Sequence, residues 1–149
     1  MAQAIRFDSS VDIPTQYVVA STTGVVNAET TAITVQEIEY LSTSVASVSG
    51  NTQATLYIKF VKGSLTNCSI KVYGSYVGDP AATDWYQEVV ETDSTGVATL
   101  DAFSIVLTAT ATIAYHFPIG AYKALKITVG STGTITSSAI TLTLGLRNN

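Results

Sequence analysis

Along nearly the whole chain, apolar and polar residues alternate with a period of two. Nowhere is the 3.6-residue period of an amphipathic helix sustained, so the pattern selects half-buried strands. The clearest runs lie in 52–76. Within 52–62, Ala54, Leu56, Ile58 and Phe60 point one way and Thr55, Tyr57 and Lys59 the other. Within 67–76, Cys68, Ile70 and Val72 share one face and Ser69, Lys71 and Tyr73 the other, with Gly63-Ser64-Leu65-Thr66 joining the two runs. This spacing predicts a β-hairpin whose inward residues, Leu56, Ile58, Phe60, Ile70 and Val72, belong to the core.

The same reading extends in both directions. Runs at 16–20 and 32–35 are β-rich, and the apolar parity changes from Ile33 and Val35 to Ile38 and Tyr40, which predicts a bulge or bend near Gln36 and Glu37. The Ser-rich 41–51 reads as a strand edge or loop. Beyond the Gly78-Asp79-Pro80 loop, Trp85 opens a strand closed by the turn residues Asp93-Ser94-Thr95-Gly96. Runs at 97–100 and 103–108 follow, although 102–111 would also support a helical turn. Pro118 and Gly120 predict a bend over 115–120. Leu125, Ile127 and Val129 oppose Lys126 and Thr128, and Gly130-Ser131-Thr132-Gly133 reads as a turn. The last run sets Ile140, Leu142, Leu144 and Leu146 against Thr141 and Thr143. About eight to ten short strands with little or no helix predict an all-β chain: a single antiparallel β-sandwich of jelly-roll type. Residues 15–149 form the sandwich, and 1–14 form an N-terminal arm or edge strand with a short run at 4–7.

Composition narrows the partners. Only 12% of the 149 residues are charged while 46% are hydrophobic, and mean hydropathy is +0.32. Ser and Thr therefore supply much of the polar surface, and a chain so poor in charge is expected to have part of its surface covered by other proteins. A net charge of −4 with seven scattered Lys and Arg lacks the basic patch of a nucleic-acid binder. No apolar stretch approaches the roughly 20 residues that span a bilayer. The first residues lack the layout of a signal peptide, so the chain is expected in a cytosol. The lone Cys68, beside Ile70 and Val72, reads as a small buried hydrophobe, and Asn67-Cys68-Ser69 as an unused glycosylation sequon.

Chemistry-bearing patterns are sparse. His116, the one histidine, sits between Tyr115 and Phe117 with no Gly-x-Ser-x-Gly elbow, which favours a structural role over that of a catalytic base. Glu37 with Glu39, or Glu88 with Glu91, are the carboxylate pairs a glycosidase would need, and a solvated strand edge explains them equally well. Asp79 and Asp84 are the only start of a calcium loop, and Gly-Asp-Pro is more often a plain turn. No catalytic, cofactor-binding or metal residue is assigned. The aromatic residues stand out instead. Tyr57 and Tyr73 occupy outward positions of facing strands, Tyr76, Trp85 and Tyr86 surround one loop, and Ile5 and Phe7 lie in the N-terminal run. These seven are the candidate partner contacts, Trp85 also being a candidate cap on the core.

Several pieces carry a resemblance. Phe60-Val61-Lys62-Gly63-Ser64-Leu65-Thr66 leads into Ile70-Lys71-Val72, and Ser75-Tyr76 leads to Asp84-Trp85-Tyr86-Gln87-Glu88. Further on come Tyr122-Lys123-Ala124-Leu125-Lys126-Ile127 and Gly133-Thr134-Ile135-Thr136-Ser137-Ser138-Ala139-Ile140. Together, over more than half the chain, they resemble the small β-sandwich virion proteins of tailed bacteriophages. Where such proteins often carry a tight Asp-Gly turn before the Trp, this chain has the longer 78–83. The resemblance implies a non-enzymatic structural protein at the virion capsid surface, made in the host cytoplasm. It points to a decoration or cement protein, a homotrimer seated over junctions of the major capsid protein. A tail, neck or head-fibre component is the alternative within the virion. A carbohydrate-binding module using Tyr76, Trp85 and Tyr86 is the alternative outside it.

Overall fold

A computed structural model describes residues 16–35, 52–93, 96, 98–119 and 122–148. The candidate contacts Ile5 and Phe7, the arm, the parity switch near Gln36, the run 41–51, and Glu37 with Glu39 lie outside these residues. Among the described residues there are eleven strands: β1 (Gln16–Thr23), β2 (Thr30–Val35), β3 (Thr52–Val61), β4 (Leu65–Ser75), β5 (Tyr86–Gln87), β6 (Val89–Asp93), β7 (Ala98–Ala102), β8 (Ser104–Leu107), β9 (Ala111–Pro118), β10 (Ala124–Gly133) and β11 (Ala139–Asn148). One short 3-10 turn, Ala82–Asp84, precedes β5. The total exceeds the expected eight to ten because 86–102 adds three short strands to the eight that form the sandwich.

Sheet one runs β1-β11-β3-β9, and sheet two runs β2-β10-β4, with β5 and β8 both on the far edge of β4. All pairings are antiparallel. Six connections pass from one sheet to the other: β1 to β2, β3 to β4, β8 to β9 and β10 to β11 at one end of the strands, and β2 to β3 and β9 to β10 at the other. The order 1-11-3-9 therefore matches 2-10-4-8 strand for strand, which is the winding of a jelly roll.

This topology corrects the reading of 52–76. β3 and β4 are not a hairpin: β3 pairs with β11 and β9, and β4 with β10 and β8. The loop between them is an inter-sheet corner. Gly63 there has φ +54, and a side chain on it would collide with the backbone of Thr136 and Ser137. The four corners β1–β2, β3–β4, β8–β9 and β10–β11 share one end of the sandwich and are tied together. Ser64 N–H donates to Thr136 O at 3.1 Å and Ser138 Oγ donates to Lys62 O at 2.6 Å, while Lys62 N–H donates to Thr110 Oγ1 at 3.1 Å and Gly24 N–H to Ile140 O at 2.9 Å.

Alternation places the core as expected. Ala54, Leu56, Ile58 and Phe60 of β3 and Ile140, Leu142, Leu144 and Leu146 of β11 face Cys68, Ile70 and Val72 of β4 and Leu125, Ile127 and Val129 of β10, all buried. Three local readings change. Residues 130–133 continue β10 instead of turning, with Gly130 admitting the backbone of Glu29 against the sheet. Residues 115–118 are strand, with Pro118 ending β9 on a sheet edge where no second ladder needs its missing donor. Residues 104–107 and 111 onward are extended, so no helical turn forms there.

Candidate functional site

The end opposite the four corners gathers aromatic side chains. Gly74 faces inward at the end of β4, and its missing side chain leaves the space that the Tyr122 ring fills. Tyr76 continues beyond that strand end and packs on Tyr122 with ring centroids 5.3 Å apart. Tyr86, drawn in by the pairing of β5 with β4, lies 5.9 Å from Tyr76. The row thus runs from the core outward, and Tyr76 and Tyr86 are each 57% exposed. Burial raises the Tyr122 hydroxyl pKa, and a hydrogen bond with the Glu88 carboxylate adds to the rise.

Trp85 and Tyr73 belong to the outer face of sheet two. Lys126 Nζ sits 4.8 Å from the Tyr73 ring centroid and 4.9 Å from that of Trp85, holding the two rings around one cation. Tyr73 Oη donates to Glu29 Oε1 at 2.7 Å, Thr128 Oγ1 donates to the same oxygen at 2.9 Å, and Lys71 Nζ donates to Glu29 Oε2 at 2.8 Å. These three donors clasp the β1–β2 connection onto sheet two. Ser131 Oγ, which donates to Val26 O at 2.9 Å, extends the clasp.

The sequence-predicted contacts therefore separate. Tyr76 and Tyr86 form one exposed pair, while Trp85 and Tyr73 are half-buried around Lys126. Tyr57 does not join Tyr73: it lies on the outer face of sheet one, on the opposite layer, because β3 and β4 belong to different sheets. A second aromatic set closes the β8–β9 side, where Phe103 stacks on Tyr115 at 5.4 Å and Tyr115 on Phe117 at 5.6 Å. Glu29, Lys126 and Tyr122 carry no sequence signal for these roles. Their partners are remote in the chain and become neighbours only through sheet pairing.

Three of the acid and base candidates, His116, Asp84 and Glu88, are engaged in structural bonds. His116 Nδ1 lies 2.8 Å from Thr55 Oγ1 across the β3–β9 pair. Asp84 accepts from Ala81 N–H at 2.9 Å and donates its own N–H to Ala81 O at 3.0 Å, closing the 3-10 turn. Glu88 is bound to Tyr122. Cys68 is buried, and desolvation pushes its thiol up to about 11. Among the described residues no cluster of three metal-ligating side chains occurs, and no helix is long and apolar enough to cross a membrane. The chain matches no protein-family model and no curated protein.

Proposed function

We propose that this chain is a non-enzymatic structural protein of a tailed-phage particle: a decoration or cement protein, acting as a homotrimer at the capsid surface, that binds the assembled shell of major capsid protein. The observation that carries the reading is the contrast between the two ends of the jelly roll. One end has its four corners tied together by hydrogen bonds, while the other presents Tyr76 and Tyr86 to solvent on a rigid footing, Tyr122 and Gly74. Exposed aromatic side chains held by a packed base are the kind of group that anchors protein contacts. The low charge content and the resemblance support the same reading, as does the use of His116, Asp84 and Glu88 in structural bonds. A ligand that binds only the assembled shell stabilises it by mass action.

The test is co-sedimentation with undecorated shells assembled from the major capsid protein of the same genome. Binding is expected, and a Tyr76→Ser/Tyr86→Ser variant should lose it while unfolding at an unchanged temperature. Failure of the unaltered protein to bind shells overturns the reading. The exposure of Tyr76 and Tyr86 also supports a carbohydrate-binding module, which glycan binding without shell binding would favour. Binding to tails, necks or fibres instead of shells would move the protein elsewhere in the virion.

A further inference from the structure

Sheet one ends on β9, and among the described residues nothing pairs with the outer edge of that strand. Open edges are normally blunted by a bulge, by charge or by shortness. The other edges of the sandwich follow that rule: the β1 and β2 ladders each carry a register shift, and β5 and β8 have only two and four residues. β9 departs from it. Its eight residues pair with β3 without a shift, and no Asp, Glu, Lys or Arg occurs from Ala102 to Tyr122. Its core-facing row is also uncovered: Ile113 lies opposite the buried Ile58 yet is 40% exposed, and Tyr115 and Phe117, opposite Leu56 and Ala54, are half-buried. A fifth strand on sheet one would cover this row.

The sequence supplies a strand of that kind. From Ile5 to Ile13 the odd positions are apolar apart from Ser9, and Arg6, Asp8, Ser10 and Asp12 hold the even ones. Period two over this span matches β9 in length, with an apolar face for the open row and a charged face for solvent. Laid along β9, the segment would turn an uncharged edge into a charged one.

The β9 of the same copy is out of its reach. Gln16, Arg147, Gln53 and Pro118 stand in one row across sheet one, each paired with the next. At about 4.8 Å per strand, a place beyond Pro118 lies about 19 Å from Gln16. Only Pro14 and Thr15 join Ile13 to Gln16, and that link spans about 10–11 Å when fully extended. A tight two-residue hairpin back onto β1 is closed as well, because it needs a positive φ at its first residue and proline is held at about −65°.

We propose that residues 5–13 of one copy add a fifth strand to sheet one of the next copy, along the free edge of β9, with their apolar face over Ile113, Tyr115 and Phe117. Main-chain hydrogen bonds along the edge provide the attachment, and the alternate side chains fix which face turns inward. Arm and edge are different surfaces, so the contact is head-to-tail and closes into a ring when the rotation between copies allows. It rests on the proposed function only for the expectation of three copies.

The experiment is the solution mass of the full chain by sedimentation, over a range of concentrations and without shells. The unaltered protein should form a closed oligomer, and Phe7→Asp, which alters only the arm, should weaken association about a hundredfold. Ile113→Asp should do the same from the edge; where it lowers the unfolding temperature, Ile113→Thr takes its place. Mixed in equal amounts, the arm variant and the edge variant should form a one-to-one dimer, because each brings the half of the contact that the other lacks. A monomeric unaltered protein overturns the proposal, as does a mixture no heavier than either variant alone. So does association that survives Phe7→Asp, the result that direct pairing of two β9 edges would give. These outcomes are read without capsids, so shell binding can fail while the interface stands, and the reverse.

Discussion

Glu29 and Lys71 are 42 residues apart in the chain and 2.8 Å apart in space, and the pair joins the β1–β2 connection to the outer face of sheet two. The hydrogen bond from Lys71, followed by that from Tyr73, holds the Glu29 carboxyl at about 2, below its ordinary 4.5, against the opposing effect of burial.

A carboxyl whose pKa is lower in the folded state contributes stability above its ordinary pKa and loses it as pH falls through the folded value. With 41% of the Glu29 side chain exposed, solvent screening limits this to about 1 kcal/mol. Glu29→Gln should therefore cost about 1 kcal/mol at pH 7. The gap to the unaltered protein should close as pH falls from 4.5 to about 2. Urea unfolding of both proteins across that range checks it, and parallel curves would refute the clasp.

Gly63→Ala combines a left-handed backbone with a collision against Thr136 and Ser137. A loss of about 2 kcal/mol or more is expected, which in a domain of this size lowers Tm by about 4–8 °C. Ser138→Ala, which removes the hydroxyl bonded to Lys62 O and Thr136 O, should cost about 1 kcal/mol. Thermal unfolding that ranks the two variants the other way would mean that the corner yields freely.

Trp85 is the only tryptophan, and among the described residues Lys126 is the cation placed over its ring, so its emission reports on that contact. Lys126→Met keeps the aliphatic stem and removes the charge. It should change the Trp85 emission spectrum and cost about 0.5–1 kcal/mol, whereas Lys126→Arg should preserve both. Identical spectra for all three proteins would place the ammonium away from the ring.

Cys68 should resist alkylation in the folded protein. Its side chain is fully buried and its thiol is pushed up to about 11, so at pH 8 it is neither accessible nor ionised. Iodoacetamide labelling followed by mass spectrometry should show modification only after unfolding in denaturant. Rapid labelling of the native chain would contradict the packing of β4 against β3 and β11.

Face assignment was legible in the sequence, whereas strand partnership was not. Leu56, Ile58, Phe60, Ile70, Val72 and Leu142 are buried as alternation requires, because period two directly encodes which side of a sheet a residue takes. A short glycine-containing link such as Lys62–Ser64 serves a hairpin and an inter-sheet corner equally, so alternation could not say that β3 and β4 separate into different layers. The Gly130–Gly133 stretch misled for a related reason: Gly130 answers to the backbone of Glu29, about a hundred residues earlier, and not to a local turn. The aromatic end was legible in Tyr76 and Tyr86. It was not legible in Tyr122, whose place depends on the empty side of Gly74.

The place of β11 between β1 and β3 governs how the chain can fold during synthesis. Among the described residues, 16–23 have no sheet-one neighbour until 139–148 have emerged, and β3 has only β9. The most sequence-distant strands thus close the layer last. The nascent chain must carry unpaired strand edges through most of translation, so folding is governed by a late, long-range closure and is slow relative to local hairpin formation.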